Sequence, residues 1–67
     1  MNLIIVGERI KKIRISKNLT QLEFAKMCKF DRTYLSRIEN GKQNLTLEIF
    51  FVICDKLEIS PKEFFDF

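Results

Sequence analysis

Sixty-seven residues with a net charge of +3 and a sequence pI near 9.1 fit one domain, residues 1–67, with a small core and a need for a staple or a partner. There is no histidine, and the two cysteines, Cys28 and Cys54, form no CxxC pair, so zinc-finger spacing and a histidine-activated thiolate are both excluded. No stretch approaches membrane-spanning length, and the basic balance suits an anionic partner.

The first helix is expected from about Leu3 to Ser16, with Val6, Ile10 and Ile13 at i, i+4, i+7 facing inward. Leu3 to Val6 is too short for a signal peptide and lacks a basic n-region. Arg9, Lys11, Lys12, Arg14 and Lys17 load the rest of this helix with positive charge. They form either a solvated face or a shoulder that meets phosphates. Asn18 tolerates the left-handed turn that ends the helix.

Thr20 and Glu23 form a capping box for a second helix over Gln21 to about Cys28, with Phe24, Ala25 and Cys28 on its inner face. Lys29 and Phe30 carry the chain out, and Asp31 is the next N-cap. A third helix runs from Arg32 to about Asn40 and stops at Gly41, which suits the left-handed C′ position. At about 100° per residue, Tyr34, Leu35 and Ile38 fall on one side. Arg32, Thr33, Ser36, Arg37 and Asn40 fall within about 140° on the other. That second face holds guanidiniums, hydroxyls and an amide but no acid. Arg can read guanine, Asn can read adenine, and Ser or Thr can bond either or touch a thymine methyl. An ordinary solvated helix face has the same composition, so the face alone does not decide.

Thr46 begins a fourth helix that ends near Leu57. Leu47, Phe50, Phe51, Cys54 and Leu57 lie within about 120° and supply its core face. Ile49, Val52 and Ile53 make a second apolar stripe that a monomer should not need. Ser60-Pro61-Lys62-Glu63 starts a short fifth helix, after which Phe64 closes the core and Phe65 and Phe67 are left over. Both cysteines sit on apolar faces and read as small buried hydrophobes, which fits a reducing cytoplasm.

The segment from Thr20 to Gly41 resembles the helix-turn-helix of the Cro and phage-repressor (Xre-like) family of bacterial DNA-binding proteins. The residues that carry the likeness are Thr20-Gln21, Ala25, Ser36, Ile38-Glu39 and Gly41, with Gly7-Glu8-Arg9-Ile10 and Arg14 upstream and Leu47-Glu48 and Leu57 downstream. Within that family, Asp31-Arg32-Thr33-Tyr34-Leu35-Ser36 and Asn44-Leu45-Thr46 are similar to restriction-modification controller proteins, in which the Arg37 position is often Gly.

The resemblance implies an all-α, five-helix, lambda-repressor-like domain that is not an enzyme and needs no metal, cofactor or small-molecule ligand. It implies a transcriptional regulator that binds double-stranded operator DNA as a homodimer. Arg32, Thr33, Ser36 and Arg37 are then the base-contacting candidates. Gln21, Tyr34, Lys42, Gln43 and Asn44 are the phosphate-contacting ones. Arg14 is implied to pair with Glu39. The spare apolar residues Ile49, Val52, Ile53, Phe65 and Phe67 are the candidates for a two-fold interface. The competing reading is a protein-interaction module, of antitoxin or anti-repressor type, that docks the same helical face on an acidic protein surface.

Overall fold

Four helix starts in the computed structural model, which describes residues 2–66, use one device: a side-chain oxygen accepts the backbone N–H three residues on. Asn2 does this for α1 (Leu3–Ser16), Thr20 for α2 (Gln21–Cys28), Thr46 for α4 (Leu47–Leu57) and Ser60 for α5 (Pro61–Phe64). The boxes at Thr20 and Ser60 are closed by Glu23 and Glu63, as their spacing requires. Only α3 (Arg32–Glu39) differs: Asp31 holds the N-cap position but makes no side-chain cap bond.

Four helix ends also share a device. Asn18, Lys29, Gly41 and Glu58 all have positive φ, between 58° and 71°. The N–H of the next residue reaches back five positions in each case: Leu19 to Arg14, Phe30 to Ala25, Lys42 to Arg37, and Ile59 to Cys54. Sequence reading gives Asn18 and Gly41 but not Lys29 or Glu58, since a left-handed residue with a side chain costs about 1–2 kcal/mol. Here Phe30 and Ile59, the residues that follow, pack against the core and offset that cost. Gly41 has no such latitude, because a Cβ there would lie 2.7 Å from Ile4 Cα.

The described residues form an all-α domain with no strand, measuring 26 × 23 × 20 Å. Helix α3 packs against α1 and α2, and α4 lies across α2, α1 and α5. Ile10, Phe24, Leu35, Ile53, Leu57 and Phe64 are among the side chains that fill the centre. Gly7 permits the closest crossing: its Cβ would stand 2.4 Å from Ile38 O and 2.6 Å from Glu39 O.

Helix α4 is turned from the orientation its sequence suggests. Phe50, Ile53, Cys54 and Leu57 face the core, whereas Leu47 is 70% exposed and Phe51 52% exposed. The helix is apolar on nearly every side, so periodicity leaves its rotation open by about half a turn of candidates. Tertiary packing decides. The Phe64 ring meets Phe50 edge-on at 4.9 Å, and the i, i+3, i+4, i+7 set from Phe50 is the one that closes over it. Ile53 is therefore fully buried within its own protomer and cannot serve a partner. Ile49 and Val52 are half-buried against the core, and Phe67 lies outside the described residues.

Candidate nucleic-acid interface

The polar face of α3 stands free because its opposite face is anchored. Leu35 and Ile38 are buried in the core, and Glu39 is buried beside them. The Glu39 carboxylate takes a fork of two bonds from Arg14, Nε at 2.7 Å and Nη2 at 3.1 Å. Arg14 Nη1 donates to Leu19 O at 2.6 Å, so the same guanidinium also fixes the turn after α1. Both side chains of this pair are almost wholly buried, 7% and 1% exposed. The acid on α3 is thus neutralised inside the domain and does not weaken the helix's positive outer field.

A third polar group continues the chain of bonds outward. Gln21 Nε2 donates to Glu39 Oε1 at 2.9 Å, and Arg32 Nη1 donates to Gln21 Oε1 at 3.3 Å. This relay runs from the core, through the first residue of α2, to the first residue of α3. It orders Gln21, half-buried, and gives exposed Arg32 a starting position. Thr33, next to it, is exposed. Tyr34 is half-buried, its ring meeting Phe30 edge-on at 5.2 Å.

The far end of α3 is tied to the following loop instead. Arg37 Nη2 donates to Lys42 O at 2.8 Å and Nε to Gln43 Oε1 at 3.2 Å. Ser36 is half-buried, and its Oγ accepts from Asn40 Nδ2 at 3.4 Å. Lys42 and Asn44 are exposed, and Gln43 is half-buried. The structure therefore gathers Gln21 with Arg32 at one end of α3, and Arg37 with Lys42 and Gln43 at the other.

Arg9 has a structural task that its place in a basic run concealed. Its Nε donates to Phe64 O at 3.0 Å and its Nη2 to Glu63 O at 3.3 Å, capping the C-terminal end of α5. Only knowledge of where α5 lands could have separated Arg9 from its neighbours Lys11 and Lys12. The cysteines are buried thiols: burial pushes Cys28 up to about 11, against a smaller opposing effect of Lys56, and raises Cys54 as well. At neutral pH neither is a ready thiolate. Among the described residues no group of acidic, cysteine or histidine side chains could hold a metal ion, and no helix is long and apolar enough to cross a membrane.

Two short helices held at a fixed angle, the second with a polar face turned outward, match a helix-turn-helix family model over residues 10–64. The chain belongs to the helix-turn-helix family. Among the relatives of this helix-turn-helix chain is control protein C.BamHI of Bacillus amyloliquefaciens, 37% identical over 96% of this chain and 80% of that protein. Antitoxin PezA of Streptococcus pneumoniae is 42% identical over 82% of this chain, which spans only 35% of PezA's length. The restriction-modification controller protein C.Esp1396I, solved as a tetramer with its 35-base-pair operator, superposes with a TM-score of 0.88. It is 42% identical over 96% of this chain and 84% of its own.

Proposed function

We propose that this chain is a sequence-specific DNA-binding transcriptional regulator of the restriction-modification controller type, acting as a homodimer on a palindromic operator in the cytoplasm. The observation that carries the reading is the anchored α3: its inner face is locked to α1 and α2, with its one acid, Glu39, paired inside the domain, while Arg32, Thr33 and Arg37 are exposed on the outer face. Such a helix enters the major groove and reads bases with its first residues. Likeness to the operator-bound C.Esp1396I over nearly the whole chain supports the same use. Arg32 and Thr33 are the principal readers, Ser36 a secondary one, and Gln21, Tyr34, Lys42, Gln43 and Asn44 meet the phosphates.

A single recognition helix covers few base pairs, too few for useful selectivity on a genome. Two copies would place two such helices about 34 Å apart, one turn of duplex. The surface for pairing is the apolar one that α4 and α5 leave uncovered. Leu47, Phe51 and Phe65 are exposed, and Leu47 and Phe65 border an apolar hollow of about 200 Å³ with Leu3, Val6 and Phe50. Ile49 and Val52 are half-buried alike, so the proposed interface keeps both with Phe65, loses the buried Ile53 and gains Leu47 and Phe51.

The match to PezA favours a second reading, in which the Arg32–Arg37 face docks on an acidic protein surface. Selection of bound sites from random duplex DNA separates the two. A regulator enriches a palindromic motif; a protein-docking module enriches none.

A further inference from the structure

Arg37 makes bonds that a base-reading arginine does not need. The Nε–Nη2 edge, one of the edges a guanidinium can present to two acceptors at once, is taken up by Lys42 O and Gln43 Oε1. The loop it holds, residues 40–46, contains no helix or strand. Its first part is tied to α3 through the backbone, Gly41 N to Ile38 O and Lys42 N to Arg37 O. Beyond that point, among the described residues, the N–H groups of Gln43, Asn44, Leu45 and Thr46 have no backbone acceptor, and the loop's far end is held instead by Leu45 against the core and by Phe50 N donating to Thr46 O at 2.9 Å. The side chain of Arg37 adds a second tie at Lys42, through its carbonyl, and reaches one residue further, to the Gln43 side chain. Gln43 is half-buried and answers to it, while Lys42 and Asn44 on either side remain exposed.

We propose that Arg37 is a positioning residue for DNA binding: it fixes the loop that presents Lys42, Gln43 and Asn44 to the phosphate backbone, and it reads no base itself. This inference rests on the regulator reading given above. Arg32 differs from Arg37 in which edge is committed: its one bond, from Nη1 to a side chain at 3.3 Å, leaves the Nε–Nη2 edge open to a guanine, whereas in Arg37 that edge is bound to the loop and the Nη1–Nη2 edge remains.

The test compares the wild type with Arg37→Ala, Arg37→Lys, Gln43→Ala and the double variant of Arg37→Ala with Gln43→Ala. Each is titrated against the selected operator and its single-base variants. Backbone relaxation of residues 42–44 is measured in parallel on the DNA-free proteins. Arg37→Ala should lower affinity about five- to thirtyfold, by the same factor on every operator variant. Arg37→Lys keeps the charge but not the fork, so it should match Arg37→Ala. The double variant should lose less than the product of the two single losses, because the two residues act through one bond. Order parameters over residues 42–44 should fall in Arg37→Ala without any DNA present.

A loss confined to one base position would make Arg37 a reader and overturn the proposal. Restoration by lysine would make it a charge contact and overturn it too. Unchanged loop order parameters would remove the strut even with operator binding intact. A wild type that selects no DNA would overturn the regulator reading and this role with it.

Discussion

Where α1, α2 and α3 meet around Glu39, the contacts are directional: a two-bond fork from Arg14, a bond from Gln21, and from Gln21 onward a bond to Arg32. Where α4 meets α5 around Phe50, the contacts are rings packed at 4.9 to 5.3 Å in edge-on and tilted pairs, with Phe51, Leu47 and Phe65 left exposed beside them. Hydrogen bonds lose strength steeply with angle and distance, so the first region fixes the position of α3 closely. Apolar burial is non-directional and roughly proportional to area, so the second region can gain from whatever surface covers it. Under the proposed function the two sides have different tasks: a rigid platform behind the helix proposed to read DNA, and an adaptable apolar face proposed to meet a second copy.

The largest effect should come from breaking the directional region at its centre. Glu39→Ala leaves the Arg14 guanidinium buried without its counter-charge, which typically costs about 3–5 kcal/mol. A chain of this size has only about 5 kcal/mol or less to lose. Urea unfolding should find the variant largely unfolded at 25 °C. Replacing Arg14 and Glu39 together by leucine or methionine should recover much of the loss, since no stranded charge remains.

The apolar region breaks differently. Phe51→Glu puts a charge on the exposed face of α4 and gives up only a tilted ring contact with Phe50 at 6.1 Å, so the protomer should still fold. Sedimentation should show a monomer, and operator affinity should fall by about 10²–10⁴ as the two half-sites become independent. A variant that is still dimeric would place the interface elsewhere.

Gly7→Ala sharpens the account of the α1–α3 crossing. Helix propensity favours alanine over glycine by about 1 kcal/mol. The new Cβ would stand 2.4 Å from a backbone carbonyl that cannot step aside, which costs about 1–3 kcal/mol in strain. Net destabilisation in thermal unfolding is the expected result, and a stabilised variant would show that the crossing is looser than described. The smallest change is electrostatic. Lys42→Ala should leave folding unaffected and reduce the log–log salt dependence of operator binding by about one unit. An unchanged slope would put Lys42 outside the interface.

Much of this was legible in the sequence, and the reasons are local. The capping pairs Thr20/Glu23 and Ser60/Glu63 name their helices because both partners lie within one turn. The split face of α3 is visible because its polar and apolar residues separate cleanly at helical spacing. The Arg14–Glu39 pair came from family resemblance, since nothing local joins residues 25 positions apart. The rotation of α4 was not legible, because a helix apolar on nearly every side gives periodicity nothing to choose between, and Phe64 makes the choice from another element. Helical spacing alone therefore puts Phe51 in the core and Ile53 on the surface, and the packing reverses the two. The roles of Arg9 and Arg37 were hidden for a similar reason: each bonds to carbonyls whose position depends on where a later segment lands.

The central claim is that α3 reads DNA from its first turn, in two copies related by symmetry. Selection from random duplex DNA, run side by side with the wild type and Arg32→Ala, tests it most directly. The wild type should enrich a palindrome with half-site centres about one helical turn apart. Arg32→Ala should enrich the same palindrome with preference lost at one symmetric pair of positions, at a cost of about 1–3 kcal/mol in affinity for the wild-type site. No enrichment by the wild type, or an unaltered motif from Arg32→Ala at uniformly weaker binding, would contradict it.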